Sequence, residues 1–221
     1  MKVTWIGQGG LLFEHNEHKI MLDPYLSNSV EKINQNNFRR AYINEDLFGL
    51  DLDIMIFTHN HLDHYDPETV EKFITPNSNL EVLCPESVWK DVKKFGGNNN
   101  YIMFNRHTVW SKFGLKFTAV KAEHSDCSAI GVIIDDGEKK YYVTGDTLYN
   151  TEIFDDIPND VYALFMPING VGNNMNIEDA KNFALRVNAR HTIPMHFGMF
   201  DEIVPAGFSI IPKIYKEITF E

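Results

Sequence analysis

Cysteine is scarce in this sequence: its 221 residues include only Cys84 and Cys127. Two thiols are able to form one disulfide, but nothing in the sequence around them requires it. So low a count is typical of proteins in a reducing compartment, and not of small secreted domains held together by several disulfides. No disulfide framework is therefore expected.

Long apolar runs are also missing. No window approaches the roughly 20 consecutive apolar residues that a membrane-spanning helix needs. The opening residues run directly into a predicted strand, without the basic start and apolar stretch of a signal peptide. The expectation is a cytoplasmic protein that makes no use of a membrane.

Positive charge is in short supply as well. The chain has 20 Lys and Arg against 31 Asp and Glu, a formal net charge of −11. Proteins that bind nucleic acid neutralise phosphates with basic patches, and no cluster of Lys and Arg here supplies one. A site with two divalent metal ions would offset about four of these negative charges. The composition argues against nucleic acid as the partner.

Apolar and aromatic residues, by contrast, are abundant. Hydrophobic residues make up 43% of the chain, and 16 Phe, 9 Tyr and 3 Trp supply large side chains for a core. Short runs rich in Val, Ile, Phe and Tyr alternate with Gly, Asn, Asp or Pro, which predicts strands separated by turns. The predicted strands span residues 2–6, 10–14, 19–22, 54–57, 81–83, 115–120, 129–134, 140–144, 161–166 and 191–195.

Helical signals are fewer. An aspartate N-cap followed by proline predicts a helix over 66–73, and a second is predicted over 87–95. The strongest signal covers 176–187, where Asn176 is the expected N-cap of a helix with one apolar face. Residues 27–50 are polar and predict a long loop or short helices. With no linker in the sequence, we expect one domain over residues 1–221, a mixed α/β (α+β) sandwich.

The most informative segment follows the predicted strand 54–57. Within six residues it presents His59, His61, Asp63 and His64. If the backbone stays extended, the first three of these point to one face and the fourth to the other, so they can divide between two neighbouring metals. A single histidine is more often structural or exposed, but four metal-capable side chains so close together indicate a metal site.

Further ligands must come from other strand ends, and three candidates follow predicted strands. These are His124, Asp146 and His196. Each is a weak signal alone, because an aspartate after a strand is more often a turn or N-cap residue. Gly145, just before Asp146, permits a close approach of the backbone at this point.

Taken in this order, these residues resemble the signature of the metallo-β-lactamase superfamily. His59-x-His61-x-Asp63-His64 is similar to its motif, and Gly145-Asp146-Thr147 is similar to the segment of its bridging aspartate. The dipeptide Asp23-Pro24 also resembles a structural aspartate that precedes the motif. The resemblance covers roughly residues 1–200, and every metal position is filled.

The resemblance implies a four-layer αββα sandwich with a two-metal site at one edge, between the sheets. One metal would be held by three histidines: His59, His61 and His124. The other would be held by an aspartate and two histidines: Asp63, His64 and His196. Asp146 would bridge the two metals. Zinc and manganese are the first candidates and iron is the third. Two such ions ~3.5–4 Å apart make a bridging hydroxide available at neutral pH, and Asp63 is the expected proton acceptor.

Within the superfamily, the sequence is most similar to the ascorbate-6-phosphate lactonase-like branch. The similarity lies in residues 5–10, 167–170, 175–180 and 194–197, although this chain is shorter than that lactonase. It implies a metal-dependent hydrolase of a small, anionic ester or lactone. Arg39 and Arg40, in the polar segment 27–50, are the candidate cations for binding such an anion.

Two alternatives stay open. The superfamily also includes metal-dependent phosphodiesterases and nucleases, which the acidity of this chain disfavours. A non-catalytic, metal-bound scaffold is the alternative from another functional class, and the complete ligand set argues against it. The expected partner is a small-molecule substrate. Related lactonases form homo-oligomers, but no interface can be recognised in the sequence.

Overall fold

Residues 1–220 are described by the computed structural model, which consists of two β-sheets with helices on their outer sides. The strands are β1 (Lys2–Gly7), β2 (Gly10–His15), β3 (His18–Leu22), β4 (Ile54–Ile56), β5 (Glu81–Cys84), β6 (Asn100–Met103), β7 (Val109–Lys112), β8 (Leu115–Lys121), β9 (Ile130–Asp135), β10 (Lys140–Val143), β11 (Val161–Pro167), β12 (His191–Met195) and β13 (Lys216–Glu217). The α-helices are α1 (Ser29–Ile33), α2 (Pro67–Phe73), α3 (Glu86–Val92) and α4 (Ile177–Val187), and short 3₁₀ helices cover Glu45–Gly49, Lys93–Phe95 and Thr151–Asp155.

The two sheets share a pattern of strand direction. The first has the order β13-β1-β2-β3-β4-β5-β6, antiparallel from β13 to β3 and parallel from β3 to β6. The second has the order β12-β11-β10-β9-β8-β7, parallel from β12 to β10 and antiparallel from there to β7. In consequence β1, β3 and β4 end at one edge of the first sheet, and β8, β10, β11 and β12 end at one edge of the second.

Side chains along the first sheet alternate between two hydrophobic clusters, as the pleat of a strand requires. In β3, Ile20 and Leu22 belong to the core between the sheets. Met21 lies on the opposite face, in a cluster with Val70 of α2 and Val88 of α3. Helices α2 and α3 therefore cover the outer face of the first sheet.

The second sheet is also covered on both faces. In β10, the ring of Tyr141 lies 6.3 Å from that of Phe13 in the first sheet, whereas the ring of Tyr142 lies 6.4 Å from that of Phe183 in α4. The layers are thus α2 and α3, the first sheet, the second sheet, and α4. This confirms the predicted αββα sandwich.

Helix α4 begins and ends where its sequence predicts. The Asn176 side-chain oxygen accepts hydrogen bonds from the backbone N–H groups of Glu178 and Asp179, at 2.9 and 3.0 Å. Such an N-cap stabilises a helix by about 1 kcal/mol relative to alanine. The helix ends at Val187, and Asn188 follows in the left-handed conformation with φ of 55°.

Three strands were not predicted. β6 and β7 are partly exposed, and each is an edge strand of its sheet, so neither shows the apolar run or alternation by which a strand is recognised. β13 has two residues, both exposed, and it exists through its pairing with β1. The segment 27–50 forms short helices and loops, as predicted. Among residues 1–220, no helix combines the length and apolar character needed to cross a membrane.

Candidate metal centre

The predicted ligands all follow the carboxyl ends of strands and meet at the edge between the two sheets. The segment after β4 carries four of them: His59, His61, Asp63 and His64. The turns after β8, β10 and β12 carry His124, Asp146 and His196, in that order. The backbone N–H of Ile130 in β9 donates to the carbonyl of Thr58 at 3.0 Å, which ties the first segment to the second sheet. The structure brings together all seven residues.

The local geometry of the motif differs from the extended backbone that the sequence analysis assumed. β4 ends at Ile56, and the chain then turns: the N–H groups of His64 and Tyr65 donate to the carbonyl of His61 at 3.0 and 2.8 Å. The prediction that strand pleating divides the ligands between two faces is therefore wrong. A turn immediately before α2 directs these side chains into the site.

The seven side chains form two groups that share a carboxylate. The first group is His59, His61, His124 and Asp146, and the second is Asp63, His64 and His196. Within each group, every residue has one nitrogen or oxygen atom that lies within 4.8 Å of those of the other members. The Asp146 Oδ1 lies 3.2 Å from His64 Nε2, and its Oδ2 lies 3.2 Å from His196 Nε2. Asp146 thus faces both groups. Metal ligation itself stays a prediction.

Hydrogen bonds hold the histidine rings with one nitrogen directed into the site. His64 Nδ1 contacts Asp23 Oδ2 at 2.8 Å, and His124 Nδ1 contacts the carbonyl of Asn173 at 3.2 Å. His59 Nδ1 contacts Thr58 Oγ1 at 3.0 Å. These partners assign the proton to Nδ1 and leave Nε2 for a metal, which is how ligating imidazoles are commonly oriented.

Asp23 supports the site from outside the ligand set. It lies in one group with His59 and His64, with an oxygen within 4.8 Å of their nitrogens, but its carboxylate is already engaged by three side-chain and backbone partners. It accepts hydrogen bonds from the Thr58 N–H at 2.8 Å and the Thr58 hydroxyl at 2.5 Å, besides the contact with His64. Asp23 therefore positions the ligands, in line with the structural role that the resemblance implies.

Three side chains of the site project from backbone in the left-handed region. Gln8, Asp23 and His196 have φ of 51°, 43° and 57°, and each directly follows the last residue of a strand. Residues other than glycine adopt this conformation at an energetic cost that the surrounding structure has to offset. The chain thus reverses abruptly at three strand ends and presents a polar side chain at each.

Two residues next to the ligands were not recognised as part of the site. Gln8 is 1% exposed, and its Nε2 donates to Asp63 Oδ2 at 2.7 Å. Asn174, also buried, donates through Nδ2 to Asp146 Oδ2 at 2.7 Å and accepts from the Thr147 N–H at 2.9 Å. Gln8 occurs in a segment that resembles the lactonase branch, whereas Asn174 lies in a polar run that carries no signal.

Two glycines are needed because side chains pack against them. A Cβ on Gly9 would lie 2.5 Å from Cε1 of His64. Gly145 has φ of 61°, and a Cβ there would lie 2.8 Å from the carbonyl oxygen of Ile130. The close approach predicted at Gly145 is present, and it lets Asp146 enter the site beside the first sheet.

The donor set fits divalent cations. Nε2 of His59 is buried and has no hydrogen-bond partner, which is costly unless a cation is bound there. Burial lowers the pKa of His59, and the neighbouring His64 lowers it further, so His59 is neutral, as a ligand must be. Imidazoles and carboxylates without thiolates suit zinc, manganese or iron.

Without a bound cation, the negative charges of the carboxylates are balanced by protonated histidines. Burial opposes a charge on His196, but Asp146 and Asp63 outweigh it and raise its pKa to about 9. Burial also opposes a charge on His64, whose pKa is nevertheless raised by Asp146, Asp63 and Asp23. The Asp63 carboxyl has a lowered pKa because His64 and His196 outweigh its burial. Metal ions therefore have to displace protons from two imidazoles.

We expect metal binding at pH 7 to release about two protons, one each from His64 and His196. Because the pKa of His196 is about 9, the release from it should disappear as the pH rises through that value, and metal affinity should increase over the same range. Calorimetric titration of zinc in buffers of different ionisation enthalpy measures the release. Substitution of the exposed His107 with glutamine is the control and should leave it unchanged. Zero release at pH 7 would contradict the assigned charges.

Comparisons with known proteins show which family the chain belongs to. A family model described as the β-lactamase superfamily domain matches residues 18–197. A UPF0173 protein of Pyrococcus furiosus is 26% identical over 212 residues, covering 94% of this chain and 89% of that protein. A UPF0173 metal-dependent hydrolase of Aeropyrum pernix is 28% identical over 217 residues, covering 90% and 83%. Among solved structures, Igni18, a metallo hydrolase of Ignicoccus hospitalis, aligns with a TM-score of 0.69 and 22% identity over 89% of this chain and 82% of its own. With a matching family model over most of its length, the chain belongs to the metallo-β-lactamase superfamily.

Proposed function

We propose that this protein is a metal-dependent hydrolase that holds two divalent cations and cleaves a small ester or lactone. The observation that carries the proposal is the convergence of five histidines and two aspartates in two groups that share Asp146. The similarity to a protein named as a metal-dependent hydrolase, at 28% identity over most of both chains, supports the same reaction class.

The chain's own residues divide the work of hydrolysis between them. Cations bound at the two groups would supply Lewis acidity, which polarises a carbonyl and acidifies a nearby water. Asp63 is the proton acceptor, since its side chain is 19% exposed, lines the cavity at the site and is ionised. Gln8 holds that carboxylate in place by donating to its Oδ2. Asp63 is also placed to return the proton to the leaving group.

The cavity beside the centre favours a small molecule over a polymer. It encloses about 500 Å³, which is within the usual range for small-molecule sites. An ester or lactone is preferred because residues 5–10 and 194–197, which resemble the lactonase branch, contribute Gln8 and His196 to the wall of this cavity. A phosphodiesterase uses the same metal chemistry and is the second candidate.

Hydrolysis by metal-loaded protein tests the proposal. Lactones, carboxylic esters, thioesters and phosphodiesters are assayed with zinc, manganese or ferrous iron. We expect turnover of a lactone or ester that is lost with a chelator and restored by adding the metal. Turnover of phosphodiesters alone would select the second candidate. No turnover of any substrate by protein with a full complement of metal would favour the non-catalytic scaffold.

A further inference from the structure

Among residues 1–220, the wall of the cavity beside the metal centre carries no lysine or arginine side chain. Apart from four of the predicted ligands, it is formed by four carboxamides, three apolar side chains, a glycine and one carboxylate, Asp201. A site that binds a phosphate or carboxylate group normally pairs it with arginine or lysine.

The two arginines expected to bind an anion are engaged elsewhere. Arg39 donates from Nη2 to the carbonyl of Tyr25 at 2.5 Å, and its guanidinium lies over the Tyr25 ring at 4.9 Å. Arg40 donates from Nη1 to Glu202 at 2.9 Å and lies over the Phe38 ring. Neither arginine lines the cavity. The hypothesis of an anionic substrate relied on these two cations to bind it, and they are not at the site.

Asp201 lines the cavity, and its carboxylate is held by backbone hydrogen bonds. Its Oδ1 accepts hydrogen bonds from the N–H groups of Gly198 and Ile203, both at 2.9 Å, which fixes the carboxylate within the turn after β12. Within residues 1–220, its Oδ2 makes no hydrogen bond and remains able to accept one. Asn169, on the same wall, has a buried side-chain oxygen without a partner. The cavity therefore offers hydrogen-bond acceptors and a negative charge.

We propose that the part of the substrate outside the reacting group carries no negative charge and donates hydrogen bonds, as the hydroxyl groups of a neutral sugar-like lactone do. Asp201 selects this substrate by repelling anions and accepting a hydrogen bond. The inference rests on the proposed hydrolytic function, and it names the substrate class of that same site. It replaces the anionic substrate expected from the sequence.

Three lactones separate charge from hydrogen bonding: gluconolactone, its phosphate monoester and valerolactone. Gluconolactone should have the highest kcat/KM, by about tenfold over the phosphate ester, because a like charge within one cavity is repelled on that order. Valerolactone, which has no hydroxyl groups, should also be slower. In Asp201→Lys the order of gluconolactone and its phosphate ester should reverse, and in Asp201→Asn the difference should narrow. Glu202→Gln is the matched control: Glu202 is 82% exposed and lies outside the cavity, so the ratio should not change.

A binding measurement keeps the inference testable if no lactone is cleaved. Sorbitol phosphate has no hydrolysable carbonyl, and its dissociation constant from metal-loaded protein should fall about tenfold in Asp201→Lys but not in Glu202→Gln. If that holds while no lactone, carboxylic ester or thioester is cleaved, the proposed function fails and the charge selection stands. If the phosphate ester is the better substrate of the wild type, or if Asp201→Lys changes neither turnover nor binding, the inference is overturned even though hydrolysis stands.

Discussion

Replacing Asp63 with asparagine is expected to lower kcat/KM for hydrolysis about a thousandfold while the fold persists. Asparagine has nearly the same shape, but it cannot accept the proton that the attacking water loses. The Asp63 carboxylate is ionised, because His64 and His196 outweigh its burial and lower its pKa, and it faces the cavity. Steady-state kinetics with the best substrate measure the loss, and circular dichroism reports the fold.

The control for this substitution is Asp51→Asn, an exposed position outside the site. It removes the same charge from the chain and should leave kcat/KM unchanged. Metal content of the Asp63→Asn protein is measured in parallel, because Asp63 is also a predicted ligand. An Asp63→Asn protein that is folded and retains more than about a tenth of the activity would show that another group accepts the proton.

Replacing Asp146 with alanine should reduce bound metal from about two equivalents to one or fewer and abolish hydrolysis. Asp146 belongs to the group of His59, His61 and His124, and it also lies 3.2 Å from His64 Nε2 and from His196 Nε2 of the other group. Its loss removes one of the carboxylates that face His64 and His196, and it takes away the predicted shared ligand of the two cations. Elemental analysis of protein purified without chelator gives the metal content.

Asp156→Ala is the matched control for Asp146→Ala. Both carboxylates are nearly buried, with 6% and 5% of the side chain exposed, and both accept several hydrogen bonds. Asp156 bonds to Arg106 and the Lys121 N–H, remote from the predicted ligands. Its loss should destabilise the protein while leaving the metal content unchanged. Equal metal content in wild type and Asp146→Ala would contradict the shared role of Asp146.

The positions of the buried strands along the chain were predictable from sequence because each carries a run of apolar residues between turn residues. β11 and β12 were predicted to within one residue at their ends, and α2 and α4 were predicted from their caps. β6 and β7 were not, because edge strands have little buried surface to impose a pattern. The start of α3 shifted to Glu86, since its N-cap position is a proline without a capping side chain.

For the site, residue type and order along the chain predicted which side chains would meet, but not how. The turn at His61, which replaces the assumed extended strand, depends on backbone hydrogen bonds that no residue type specifies. Gln8 and Asn174 were missed as neighbours of the carboxylates because amides are common and have no characteristic spacing. The absence of lysine and arginine from the cavity wall was not predictable either, because the sequence does not show that Arg39 donates a hydrogen bond to the carbonyl of Tyr25.

The origin of the ligands in both sheets has a consequence for how the protein folds. Four predicted ligands follow β4 in the first sheet, and His124, Asp146 and His196 follow strands of the second. The first sheet is itself completed by β13, whose Lys216 pairs with Trp5 of β1. A nascent chain therefore has only four of the seven predicted ligands in place until the second sheet has docked, and we expect tight metal uptake in the last stage of folding. Metal ions held by these residues would join the two sheets as a cross-link does, so that the sheets would separate at that edge only after the metal dissociates.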